Sequence, residues 1–156
     1  LSGQVREVIL FDNNEVVRAY GFDREAKIWS VCDLPLESDP CAGSQLADGD
    51  ALDAELEHFG NPKIGGAVEL NLLDPADYEP YGTIVTAPYI AVRIENRAAN
   101  NVTEVTRLTM TIGDITENGA YRYAVANETS DVILIDAEWA ERLLELFFGK
   151  LLVGNG

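Results

Sequence analysis

The stretch "VREVILFDNNEVVRAYGF", Val5 to Phe22, decides how the rest of the chain is read. "VREVILF" alternates toward a half-buried strand. "DNNE" is turn chemistry, because Asp and Asn side chains bond their own backbone and tolerate the left-handed region. "VVRAYGF" then reads as a strand returning beside the first. After the polar turn "DREAK", "IWSV" (Ile28 to Val31) supplies a short third strand, so the chain opens as an antiparallel meander.

Downstream the same logic repeats. In "ADGDALDAELEHFG", Asp48 or Asp50 can cap a helix whose Leu52, Leu56 and Phe59 fall on one face, and Gly60 with Pro62 ends it. Residues Asn61 to Gly82 carry three prolines and three glycines. They read as a long connection or lobe boundary with a strand at "AVELNLL". β-branched runs return at "TIVTAPYIAVRIE" (Thr83 to Glu95), "EVTRLTMTIG", "AYRYAVA" and "DVILID", separated by "NRAANN" and "DITENG" turns. Asp136 is placed to cap a closing helix that ends at Gly149, with Trp139, Leu143, Leu146 and Phe147 on its apolar face. The fold class is therefore α+β, with mainly antiparallel sheets and two helices. This pattern fits a single domain over residues 1–156, with sub-lobes 1–62 and 63–156 each closed by one helix.

A chain of 156 residues is one ordinary domain, large enough to bury a core without a metal or a disulfide. Its 27 Asp and Glu against 11 Lys and Arg leave a net charge of −16. A field of that sign repels phosphate backbones, which argues against nucleic-acid binding, and it repels anionic membrane surfaces as well. No apolar run approaches the length of a membrane span. The opening "LSGQVREV" reads as a piece of a longer protein whose membrane contact, if any, would be an upstream anchor.

Chemistry is sparsely declared. The one histidine, His58, sits near the end of the first helix and belongs to no nucleophilic motif. Asp48, Asp50, Asp53 and Glu55 cluster as hard-cation ligands do, but their order is not that of a calcium loop, and capping and solvation account for them. No phosphate-binding loop, dinucleotide fingerprint or zinc-protease motif occurs, so no catalytic residue, metal or cofactor is assigned. Two glycosylation acceptor sequences, at Asn101 and Asn127, fall in expected turns. Both cysteines lie in "VCDLPLESDPC". Their spacing is not the C-x-x-C of redox or zinc sites, and whether they pair depends on compartment.

The sequence "YEPYGTIVTAPYIAVRI", followed by "RLTMTIGDITENGAYRYAVANETSDVILIDAEWAERLLEL", resembles the bacterial domain-of-unknown-function family 4340. "AKIWSV" and the helix "ALDAELEHFG" are similar to that family's Trp-bearing strand and the helix after it. The chain departs from the pattern at Thr83, which follows Gly82, and in the long turn "NRAANNVTE". The resemblance implies a bacterial extracytoplasmic (periplasmic or cell-envelope) protein held by an N-terminal anchor and associated with GldG-type auxiliaries of ABC transporters. It brings no catalytic residues. The envelope address it implies favours a Cys32–Cys41 disulfide.

The function these readings support is a non-catalytic binding or scaffolding module with a protein partner in the cell envelope. The partner surface is assigned to Phe147, Phe148, Leu151 and Leu152, or to an exposed sheet edge. A second reading is a small-ligand or glycan-binding module with Trp29, Tyr78, Tyr81 and Tyr89 along a groove. A third is a carboxylate-based or metal-assisted hydrolase.

Overall fold

A computed structural model of the chain describes residues 5–37, 41, 43–97, 103–127 and 129–154. The strands are β1 (Val5–Asp12), β2 (Glu15–Asp23), β3 (Ile28–Val31), β4 (Gln45–Leu46), β5 (Ile64–Glu69), β6 (Tyr89–Arg97), β7 (Thr103–Ile115), β8 (Tyr121–Ala126) and β9 (Val132–Asp136). The helices are α1 (Gly49–Phe59) and α2 (Ala137–Phe148), with a short 3-10 helix at Pro75–Tyr81. All nine strands join one sheet in the order β4-β3-β2-β1-β6-β7-β8-β9-β5, and every pairing is antiparallel.

The order has an internal logic. Two meanders, β1 to β4 and β6 to β9, are each followed by a helix, and they meet at the antiparallel β1–β6 seam, where Val8 faces Val92 and Leu10 faces Ile90. β5 is added beyond β9 at the far edge. The expected division into lobes 1–62 and 63–156 is not seen as separate sheets. β1 and β6 come from opposite sides of that boundary and hydrogen-bond to each other, while both helices share one core.

Successive strand residues face opposite sides of a sheet, and this alternation sorts the apolar residues into two layers. On one side Val8, Leu10, Tyr20, Trp29, Ile90, Val92, Met110 and Ile112 meet Leu52, Leu56 and Phe59 of α1 and Trp139, Leu143, Leu146 and Phe147 of α2. On the other, Ile9 and Ala19 meet Cys32 and Cys41. β1 is thus covered on both faces, which is why its sequence ends in the unbroken run Val8 to Phe11 rather than a strict alternation.

Both helices begin where the sequence places them. Asp48 Oδ1 accepts the Ala51 N–H at 3.1 Å, and Asp136 Oδ1 accepts the Trp139 N–H at 3.0 Å. Each cap satisfies a donor that the first helical turn leaves open, worth about 1 kcal/mol. The helices then clasp one another: His58 Nε2–H donates to the Trp139 carbonyl at 2.8 Å, and Trp139 Nε1–H donates to the His58 carbonyl at 3.1 Å. The two rings stack at 4.9 Å, so the lone histidine joins the two helical layers.

Three stretches differ from their expected form. The strand in "AVELNLL" lies earlier, at Ile64–Glu69, and Asn71 takes a left-handed φ of 57° just beyond it. Residues 83–88, read as the start of a strand, form a turn instead, and β6 begins at Tyr89. The connection before it contains the 3-10 helix, capped by Asp74, whose side chain accepts the Ala76 N–H at 2.9 Å. Of the turn expected at "NRAANN", Asn96 and Arg97 lie in β6, and the remaining residues, with the acceptor asparagine Asn101, lie outside the described residues.

Candidate functional site

The sheet face away from the helices carries two straps. The first is the cysteine segment: Cys32 and Cys41 are joined by a disulfide with Cα atoms 5.6 Å apart, and both are buried. Its seat is specific. Cys41 N–H donates to Glu7 Oε2 at 2.8 Å, with Glu7 itself buried in β1. Gly21 in β2 lies so close beneath the Cys41 carbonyl that a Cβ there would overlap it. Nearby, Glu95 gathers the guanidinium groups of Arg6, Arg24 and Arg93 at 3.7, 3.2 and 3.7 Å, and Arg6 also lies over the Phe22 ring. These contacts join the end of β6 to the start of β1 and to the turn after β2.

The second strap is the segment from β5 at the edge back to β6 in the middle of the sheet. Leu72 N–H donates to the Ser130 carbonyl, and Tyr81 packs on Tyr123 of β8 with ring centres 5.0 Å apart. Gly82 adopts φ 69°, where a Cβ would collide with the Asp114 carboxylate, and the Gly113 Cα lies under the Tyr81 carbonyl. The chain then makes the 83–88 turn, closed by Ala87 N–H to the Ile84 carbonyl and tied to the β1–β2 turn by Asn13 N–H to the Thr86 carbonyl. That turn forms a ridge with Ile84 and Ala87 lining an opening on each side.

On the strap side the opening is about 350 Å³. Its floor is Phe11 and Tyr89, 5.6 Å apart and tilted, with Asn14, Thr83 and Thr111 as polar neighbours. Thr83 is buried, and among the described residues its Oγ1 has no hydrogen-bond partner. On the helix side, a groove of about 620 Å³ runs between the turn and the C-terminal half of α2. Leu144, Phe148, Ile84 and Ile112 form its apolar surface, and Glu79, Asp114, Glu141 and Glu145 line it with carboxylates. Arg122 reaches in from β8, where its Nε and Nη2 donate to Glu141 Oε1 at 3.1 and 2.9 Å and its Nη1 to the Gly113 carbonyl at 3.0 Å.

The residues singled out in the sequence separate accordingly. Phe147 is 3% exposed and belongs to the core, whereas its neighbour Phe148 is 59% exposed over the groove. Leu151 and Leu152 are half-buried against the core, and the Leu152 N–H donates to the Tyr20 hydroxyl at 3.2 Å. Trp29 is buried on the helix side beside Phe22, while Tyr89 faces the other side of the sheet, so the two share no groove. Tyr78 donates to the Leu72 carbonyl within its own strap, and Tyr81 donates to Glu69 Oε1 at 3.3 Å. Burial and then the Glu69 carboxylate raise the Tyr81 phenol above its ordinary pKa. Among the described residues no three His, Cys, Asp or Glu side chains converge in a way that could hold a metal ion, and the cluster from Asp48 to Glu55 is dispersed by capping and by the Arg142–Glu55 ion pair at 3.2 Å.

Ile84 and Val85 were missed as surface residues because their β-branched run "TIVT" reads as strand. The signal that could have found them is Pro88, which cannot donate to a ladder and marks the run as ending or starting there. Searches of family models, curated proteins and solved structures find no match to this chain.

Proposed function

We propose that this domain is a non-catalytic binding module of the bacterial cell envelope that docks a protein partner in the groove between α2 and the 83–88 turn. One observation carries the reading: Phe148, the last residue of α2, is 59% exposed, with Leu144 and Ile84 lining the same depression. A large apolar side chain left in a concave, partly apolar surface is a feature of interaction sites more than of ordinary monomer surface. The disulfide supports an oxidising, extracytoplasmic address, and the resemblance to envelope proteins accompanying ABC transporters supports a transporter-associated or gliding-type assembly as the setting. The test is a displayed peptide library panned on the wild type and on Phe148→Asp. Ligands enriched on the wild type and lost on the variant support the groove, and ligands that bind both equally refute it.

A second reading is favoured by Thr83. A buried hydroxyl with no hydrogen-bond partner among the described residues, beside the Phe11–Tyr89 opening, suits a small molecule with an apolar body and one polar group. Saturable quenching or shift of tyrosine emission by such a ligand, abolished by Tyr89→Ala, would favour this reading over the first.

A further inference from the structure

The charge pattern of the groove says what kind of partner it suits. Of its four carboxylates, Glu141 is taken by Arg122, which spends its remaining fork on the Gly113 carbonyl. Glu79, Asp114 and Glu145 line the same groove, and among the described residues none of the three is in an ion pair. Glu145 and Phe148 also sit in the last turn of α2, which has no basic side chain of its own, while Arg18 from β2 donates its Nη1–H to the Leu146 carbonyl there at 3.2 Å. The groove thus joins an apolar surface to three carboxylates that are in no ion pair among the described residues, within a protein of net charge −16. A second copy of the chain, a nucleic acid or an anionic lipid surface would each bring negative charge against it.

We infer that the groove takes a basic amphipathic segment of the partner, with an apolar side chain over Phe148, Leu144 and Ile84 and lysine or arginine side chains against Glu79, Asp114 and Glu145. The inference rests on the groove being the docking site, as proposed above. Apolar anchoring provides the grip, and the carboxylates select the sign of the partner and speed its encounter.

The experiment is fluorescence anisotropy with labelled model peptides on the intact protein. The probes are a Leu/Lys amphipathic helix of about five turns, a Leu/Glu helix with the same apolar face, and an oligolysine of the same charge. The inference predicts binding of the Leu/Lys peptide, with the other two weaker by about tenfold or more. Phe148→Ser and the pair Glu79→Lys with Glu145→Lys should each weaken the Leu/Lys peptide by about tenfold or more. The pair Glu25→Lys with Glu57→Lys makes the same charge change on exposed residues elsewhere and should change it by less than about twofold. Equal losses from the two charge-reversal pairs would show a diffuse field and overturn the inference. Tight, Phe148-dependent binding of the Leu/Glu peptide would also overturn it while leaving the groove as docking site. Failure of every amphipathic peptide to bind the wild type would overturn both.

Discussion

Phe147 and Phe148 are adjacent, identical in chemistry and opposite in environment, and truncating each to alanine tests the placement of the groove. Phe147 is 3% exposed within the core between α2 and the sheet, so Phe147→Ala removes a whole buried ring and leaves a cavity, at a cost of about 3–5 kcal/mol. Phe148 keeps 59% of its surface in solvent. Fully burying such a side chain is worth about 1.5–3 kcal/mol, so the buried fraction corresponds to about 1 kcal/mol or less for Phe148→Ala. For a chain of this size each kcal/mol moves Tm by about 2–4 °C. The first variant should therefore lose about 6–20 °C and the second no more than about 4 °C. Urea unfolding followed by Trp emission is a suitable assay, since Trp29 and Trp139 are both buried in the helix-side core, and the urea m-value should stay constant in both variants. A cost above about 2 kcal/mol for Phe148→Ala would place its ring in the core and refute the reading of the groove as open surface.

Other predictions follow from particular contacts. Opening the Cys32–Cys41 bridge by the double alanine variant should cost about 2–3 kcal/mol from the closed-loop entropy alone, measured by urea unfolding, and a loss below about 0.5 kcal/mol would contradict the strap as a structural tie. Burial raises the pKa of Tyr20 above its ordinary value of 10.0, so the folded state keeps that proton to higher pH than the unfolded chain. Stability is thus unaffected by this group below pH 10.0 and falls as pH rises above it, by up to about 1.4 kcal/mol per pH unit. Tyr20→Phe should cost about 1 kcal/mol at neutral pH, through the Leu152 N–H left without its acceptor, and the gap to the wild type should narrow above pH 10.0. A gap that stays constant up to pH 12 or so would refute this. Asp48→Ala and Asp136→Ala should each lose about 1 kcal/mol of unfolding free energy, and no measurable change would mean the caps are replaced by water.

Much of the architecture is legible in local patterns because local physics governs it. Both helix starts follow from an Asp placed before an apolar 3.6-residue period, and the β1–β2 hairpin from "DNNE", whose Asn13 and Asn14 adopt φ 52° and 62°. The rest depends on non-local pairing. Nothing in "KIGGAVE" says that β5 crosses to the far edge beside β9, so the segment reads either as a long connection or as a boundary between lobes, and it is a connection running as a strap over one sheet. His58 reads as an ordinary helix-end residue because its partner Trp139 lies 81 positions away. The groove was only partly legible. Phe148 stands out as apolar, but its separation from Phe147 depends on the rotation of α2 against the sheet. The opposite wall, carried by Ile84 in the 83–88 turn, is disguised by strand-like composition.

The most direct test of the central claim is to titrate the Leu/Lys amphipathic peptide into isotopically labelled protein and follow the backbone amides by NMR. The account predicts that the perturbed amides cluster in residues 82–87, 113–114 and 141–149, which border the groove, and that Phe148→Ser abolishes the pattern. Perturbations spread over the acidic surface, or centred on the β5 edge or the Phe11–Tyr89 opening, would contradict it.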